Sequence, residues 1–302
     1  MSVLRVLAWC TVALLGLASC SQSDNGGVVG AGAGRSGPVG PPGVLHARLP
    51  PGIADAGVIR VGSAIGRAPL LFYGTGTKQL EGLEYELVQA IGRQLGVTMV
   101  ITDEPLAQLG PDLGAKRIDL LISGFVDIKA FERAGIDFVD YLNGRSAVLV
   151  QHGSPAHIHG PDDLCGHRVG VLGGTAQQVT IGHLDDACKR RGRPAIGISF
   201  GADHAMLLKT LQAGQLDSVL DDAVVAQYNA QGSTGAGTLD VVGAAVDPLP
   251  YGIGVNKDAP MLRDAIQAAL RNVIADGSYD AALGHWGGSE AALHSAAVNA
   301  GP

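Results

Sequence analysis

The chain has 302 residues and four cysteines, and its formal net charge is −7. That length fits two domains of ordinary size or one large one once a leader is removed, and an acidic balance without a basic run or stripe excludes nucleic acid as a partner. No cysteine pair has Cys-x-x-Cys spacing, so the cysteines give no argument for a zinc site.

Taken in order, the chain opens on Arg5 as its only early charge, followed by an apolar run from Val6 to Leu17 and the small residues Ala18-Ser19 before Cys20. This reads as an export signal over residues 1–19, too short for a membrane span. Leu17-Ala18-Ser19-Cys20 resembles a bacterial lipobox, so Cys20 is expected to be acylated and to hold the protein on the outer face of the cell membrane. Residues 20–51 are mostly Gly, Ser, Pro and Ala and cannot bury enough surface to offset their ordering, which predicts a tether reaching roughly 30 Å root-mean-square. The folded part is expected near Gly57. Strands are predicted at 58–62, 97–101, 118–122, 147–150, 168–172, 195–200 and 218–220, with strand-like pieces at 241–242 and 252–255. Helices are predicted at 84–95, 176–191, 204–213, 223–229 and 261–274, with Gly96 placed to cap the first. The alternation predicts an α/β fold with largely parallel sheets. Cys10 leaves with the leader and Cys20 takes lipid, so Cys165 and Cys188 remain as a pair in an oxidising compartment, which predicts a disulfide.

Two stretches carry chemical signals. Val169-Gly170-Val171-Leu172-Gly173-Gly174-Thr175 is a strand running through glycines into a helix, a place where backbone N–H groups and the helix dipole hold an anion. The other reading is an ordinary Gly-rich turn with Thr175 as N-cap. Asp221-Asp222 ends an apolar strand, where α/β sheets gather ligands and where a carboxylate suits an ammonium group, or else caps the next helix. His152, His157, His159 and His167 lack helical i, i+4 spacing and read as loop residues, so no metal is expected. Nucleophile elbows and metalloprotease motifs are absent from the sequence.

In order and spacing, Gly57–Gly62, Gly82–Leu87, Ile118–Gly124, Ile136–Phe138, Val169–Val171 with Gly174-Thr175, Gly214–Asp222, Pro250–Val255 and Ala275–Asp280 with Trp286-Gly287 resemble the family 3 bacterial extracellular solute-binding proteins, the receptors of polar amino-acid ABC importers. Asp163–Gly166 together with Cys188–Ile196 looks like the actinobacterial branch, which also supports the disulfide. The resemblance implies a periplasmic-binding-protein-like type II fold: lobe one at 52–143 plus 249–290, lobe two at 144–248, two crossing strands between them, and a tail at 291–302. It implies a small polar solute held in the cleft of a monomer that serves an ABC permease, with no cofactor. Gly124, Thr175 and Asp222 match the family's ligand contacts, and their neighbours Ser123, Phe125, Gly174 and Asp221 are expected to line the same site. In the family, Thr and nearby amides take the carboxylate and the Asp takes the amino group. Three positions depart from the pattern. Phe131 stands where an Arg clamps the ligand carboxylate, and Arg133 fits only with a loop two residues longer. Leu70 replaces an aromatic, although Phe72 follows closely, and Leu106 replaces another. Arg67 is an added charge able to supply the missing cation. Two alternatives to import remain open: a sensor lipoprotein that binds an envelope fragment, and an enzyme on the same scaffold using Glu132 and Asp222 as acid and base.

Overall fold

The computed structural model describes residue 43, residues 45–232 and residues 237–302. The predicted leader, the lipidation site Cys20 and most of the predicted tether lie outside the described residues. Among the described residues no helix is long and apolar enough to cross a membrane.

The folded chain begins earlier than Gly57. Leu45, Leu49 and Ile53 recur every four residues, and Leu49 is buried while Leu45 and Ile53 pack on the main core. A 3-10 turn at His46–Arg48 and helix α1 (Pro51–Ala56) carry this stripe, and the His46 ring meets the Leu95 carbonyl at 3.0 Å. The compositional bias of the tether hid these few apolar residues.

Strand β1 (Val58–Ser63) leads through a turn into the hairpin β2 (Phe72–Tyr73) and β3 (Leu80–Glu81). Helix α2 (Leu83–Leu95) buries Leu87, Val88, Ile91 and Leu95 along one face, and Gly96 ends it at φ 64°. Strand β4 (Thr98–Asp103) returns parallel to β1. Helix α3 (Leu106–Gly114) and strand β5 (Leu120–Leu121) follow, then the short α4 (Lys129–Arg133). The 110–111 Gly-Pro pair conceals α3 from a periodicity reading, because proline inside a helix is disfavoured.

Two long strands organise the middle of the sheet. β6 (Ile136–Gln151) pairs antiparallel with β10 (Leu239–Asn256), in register from Ile136↔Asn256 to Gln151↔Leu239, with irregularities between Val242 and Val246, Val246 and Leu249, and Tyr251 and Gly252. Between them in sequence lie β7 (Arg168–Leu172), α5 (Ala176–Arg190), β8 (Gly197–Gly201), α6 (His204–Gln212), β9 (Ser218–Asp222) and α7 (Ala223–Gln231). Helices α8 (Pro260–Ala275) and α9 (Ser278–His285) follow β10. The eight-stranded order is β4-β1-β5-β10-β6-β9-β7-β8, parallel at both ends and antiparallel through the centre. The predicted pieces at 147–150, 241–242 and 252–255 are therefore parts of two long strands.

Alternation along β6 divides the core. Val148 and Val150 join a cluster with Val169, Val171 and Ile181, whereas Ala147 and Leu149 join one with Leu207, Leu211 and Leu239. The half of the sheet around β7 and β9 is thus covered on both faces, as expected where strands are buried on two sides. At Gly170 the approach is close enough that a Cβ would stand 2.6 Å from Leu216 Cδ1. The Cys165–Cys188 disulfide forms and ties the segment before β7 to the last turns of α5.

The C-terminal residues are packed, not loose. Val298 bridges to Val139, Ala296 is buried, and the Asn299 carboxamide accepts from the Phe138 amide at 2.8 Å. Gly301 N–H donates to Asp127 Oδ2 at 2.8 Å, and Ala300 N–H reaches Asp140 Oδ2 at 3.4 Å. Asp127 and Asp140 are both buried and lie close enough for their carboxyl groups to interact. Burial first, then the neighbouring Asp127 carboxylate, push Asp140 up to about 7 against the Ala300 hydrogen bond.

Candidate functional site

The site lies where the carboxyl ends of β1 and β9 face each other, the edge at which α/β sheets receive ligands. After β1, the turn from Gly66 to Leu71 is closed by main-chain bonds, including Arg67 N–H to Leu71 O at 3.1 Å and Leu70 N–H to Arg67 O at 2.7 Å. That turn aims the Arg67 side chain, only 6% exposed, at the end of β9. Its Nη2 stands 4.0 Å from Asp221 Oδ1, and Nη1 donates to Ser123 O at 3.4 Å. Gly124, at φ 55°, passes so close that a Cβ would sit 3.0 Å from Arg67 Nη1, which reserves the position for glycine.

Asp221 and Asp222 hold different partners. Asp221 Oδ2 meets His204 Nε2 at 2.6 Å, and Asp221 Oδ1 accepts from the Asp222 amide. Asp222 Oδ1 accepts from the Val224 and Val225 amides at 2.9 and 3.2 Å, so it is the N-cap of α7. The helix-cap reading of this pair therefore holds for Asp222, which caps α7 with one oxygen and keeps the other buried. Burial pushes Asp222 above the ordinary carboxylate range, more than Arg67 and the Tyr251 hydroxyl lower it. Asp221 feels the same burial, but His204 and Arg67 outweigh it and hold it below that range.

A third buried carboxylate completes the set. Glu84 Oε1 accepts from the Gly124 amide at 2.6 Å and from the Tyr141 hydroxyl, while burial raises Glu84 above its usual value. Gln177 Nε2 donates to the Tyr251 hydroxyl at 3.1 Å. Four polar atoms of this set make no hydrogen bond of normal geometry among the described residues: Arg67 Nε and Nη2, Glu84 Oε2 and Asp222 Oδ2, the last with the Tyr251 hydroxyl near its carboxylate. A cavity of about 330 Å³ reaches this set at Arg67 and His204 and is lined further by Ile65 and Leu106 on one side and by Leu172 and Gly173 on the other. A larger cavity of about 670 Å³, between the crossing strands, α7 and residues 287–291, contains none of the buried ionisable groups.

The other expected contacts are distributed unevenly. Thr175 is buried, its hydroxyl donating to Leu172 O at 2.7 Å, and the Gly174 amide donates to Gln178 Oε1. Half of the expected anion cradle is thus satisfied within the chain. Leu70 is core, beneath Gly124. Phe125 packs on Phe131 at 4.9 Å with the rings tilted by 50° and stacks with Phe138, so position 131 is half-buried against the core and offers no cation. Arg133 is exposed on α4 and does not reach this set. Phe72 lies edge-on to Trp286 at 5.5 Å and near Tyr228. Glu132 pairs with Lys129 and neighbours Asp127, in surroundings separate from those of Asp222. Glu84, Tyr141, Gln177, His204 and Tyr251 were not singled out from sequence. Glu84 did carry a signal, since it falls on the apolar stripe of α2 with Leu87, Val88, Ile91 and Leu95.

The profile of the bacterial extracellular solute-binding proteins, family 3, matches residues 59–289. The chain belongs to that family. It is a solute-binding family of amino-acid ABC transporters, and the homologues of this solute-binding protein act outside the cytoplasm. The arginine-binding protein ArgT of Corynebacterium glutamicum is 26% identical over 266 residues, covering 85% of this chain and 83% of that protein. The L-cystine-binding protein TcyJ of Escherichia coli is 26% identical over 239 residues, covering 79% and 85%. Among solved structures, an ancestral arginine-binding protein bound to glutamine superposes with a TM-score of 0.68 at 27% identity, covering 77% of this chain and 98% of that one. The fold is the type II periplasmic amino-acid-binding fold.

Proposed function

We propose that this protein captures a small amino-acid-type solute between two lobes, residues 52–143 plus 249–290 and residues 144–248, and delivers it as a monomer to an ABC permease. In this reading Cys20 carries the lipid that keeps it at the outer face of the membrane. The observation that carries the proposal is the set of four buried atoms on Arg67, Glu84 and Asp222 without hydrogen bonds, brought together from both halves of the sheet, with Arg67 also lining a cavity of amino-acid size. Buried polar groups need partners, and a zwitterion supplies both kinds. The solute carboxylate takes the free donors of Arg67, which replaces the clamp absent at Phe131. The solute ammonium takes the free oxygen of Asp222, with Asp221 adding charge and Ser123, Gly124 and Thr175 shaping the walls. Relatives named for arginine and cystine share only the amino-acid head group, which agrees with contacts concentrated there.

The test is mass spectrometry of small molecules released when the purified mature domain is denatured, followed by titration calorimetry with whatever is found. An amino acid or close analogue is expected, bound at one site per chain. If none is released and none of the twenty common amino acids shifts the melting temperature, the proposal is wrong.

A further inference from the structure

The guanidinium of Arg67 is oddly seated for a buried charge. Buried arginines ordinarily use their planar fork for short paired bonds to a carboxylate. Arg67 instead stands 4.0 Å from Asp221, makes one 3.4 Å bond to a carbonyl, and leaves Nε and Nη2 unspent. Charge holds it there: Asp221, Asp222, Glu84 and the Tyr251 hydroxyl face it, with His204 behind Asp221. It comes from the turn after β1, whereas the acids close β9. The contact therefore joins the two sides of the cleft, as a bound cation would.

We propose that Arg67 is a tethered occupant of a cation subsite formed by Asp221 and Asp222, and that an incoming solute cation displaces it. The inference rests on the reading of this cleft as the solute site and adds an ion-pair exchange to it. The solute ammonium pairs with the open Asp222 Oδ2 and replaces Arg67 beside Asp221, and the released guanidinium turns its unspent donors to the solute carboxylate. No covalent bond is made or broken, and the exchange conserves charge within the cleft. Poor hydrogen bonding in the tethered state makes Arg67 replaceable, because a compact ammonium can satisfy Asp222 Oδ2 at hydrogen-bond distance. The exchange also sets specificity. A plain amine displaces Arg67 without offering it an acceptor, and a plain carboxylate cannot displace it, so only a molecule carrying both charges closes the cycle.

Removing the tethered cation should expose the subsite to a free one. Methylguanidinium chloride at millimolar concentration, matched against sodium chloride, is titrated into wild type, Arg67→Ala and Arg67→Ala/Asp222→Asn, with melting temperature and calorimetry as readouts. The single variant is expected to bind methylguanidinium saturably and at least tenfold more tightly than wild type, and Asp222→Asn is expected to abolish the gain. If Arg67→Ala does not fold, Arg67→Leu, which keeps the packing of the stem, takes the same measurement. No gain in the variant, or equal binding by wild type, overturns the tethered-cation inference and leaves amino-acid capture standing. Capture fails separately, on the absence of any copurifying or added amino acid that binds wild type.

Discussion

Asp140→Asn should stabilise the protein at alkaline pH and do little at acid pH. Asp140 is buried beside Asp127 beneath residues 296–301, and its pKa stands at about 7. In the unfolded chain an aspartate releases its proton near the ordinary value of about 3.9. Between those values the folded state holds more protons than the unfolded one, so stability falls as pH rises through the window and stays low above it. About three pH units at ~1.4 kcal/mol each give a ceiling of ~4 kcal/mol. Sharing the proton with Asp127 and screening by solvent at the edge of the C-terminal segment reduce this to about 2 kcal/mol. The carboxamide introduced by the substitution can keep the acceptor for Ala300 N–H and donate to Asp127, replacing the shared proton. Urea denaturation at pH 5 and pH 8 measures the difference. Because about a third of the effect is already present at pH 5, the variant should gain about 1 kcal/mol at pH 8 relative to its effect at pH 5; an equal effect at both values, or a loss at pH 8, would refute the linkage.

Asp222→Asn keeps a good N-cap for α7 but removes the charge; solute affinity should fall about tenfold to a hundredfold, since charged hydrogen bonds contribute ~1.5–3 kcal/mol, with little change in urea midpoint. Because Asp222 and Glu84 are raised by burial and must release protons to pair with an ammonium, solute affinity should weaken on acidification from pH 7.5 to 5, and calorimetry of Asp222→Asn should show a shallower dependence. Thiol titration of the denatured, unreduced mature domain should find Cys165 and Cys188 blocked, and reduction should cost about 3 kcal/mol of stability for a loop with 23 residues of separation. Cys20→Ala should move the protein from the membrane fraction to the soluble one; continued sedimentation with membranes would place the anchor elsewhere.

Periodicity was a sound guide where strands or helices were short and regular. β1, β7, α2, α5 and α8 lie within a residue or two of expectation, because each buries one simple pattern. It failed where burial depends on distant partners. The aspartates of β6 and the Gly-Pro-rich middle of β10 look like loop, yet each strand is held by its pairing with the other. The same reason hid residues 296–302, whose burial depends on β6. Asp221, Asp222, Ser123, Gly124 and Arg67, which sit at strand ends or break a family pattern, are brought together in the buried set. Phe72, Phe125 and Arg133 lie outside the buried set because nearness in sequence to a strand end does not fix the direction of a side chain. Glu84 and His204 were missed since a lone ionisable residue on a helix reads as surface until its neighbours are known.

The route of the chain through the sheet has a consequence for how the protein acquires its structure. Residues 147–242 supply nearly all of the two cores around β7 and β9 and form one uninterrupted segment. The core under β1 and α2 instead needs Tyr251, Ile253, Ile266, Leu270 and Tyr279 from the far end of the sequence. The middle segment can therefore condense first through contacts of modest sequence separation, whereas the flanking half must wait for β10 and α8 to arrive. Pulsed hydrogen exchange during refolding should protect amides of β7 and β9 before those of β1 and β4. The acid pair of the site would then be in place, on a finished platform, before Arg67 is brought to meet it.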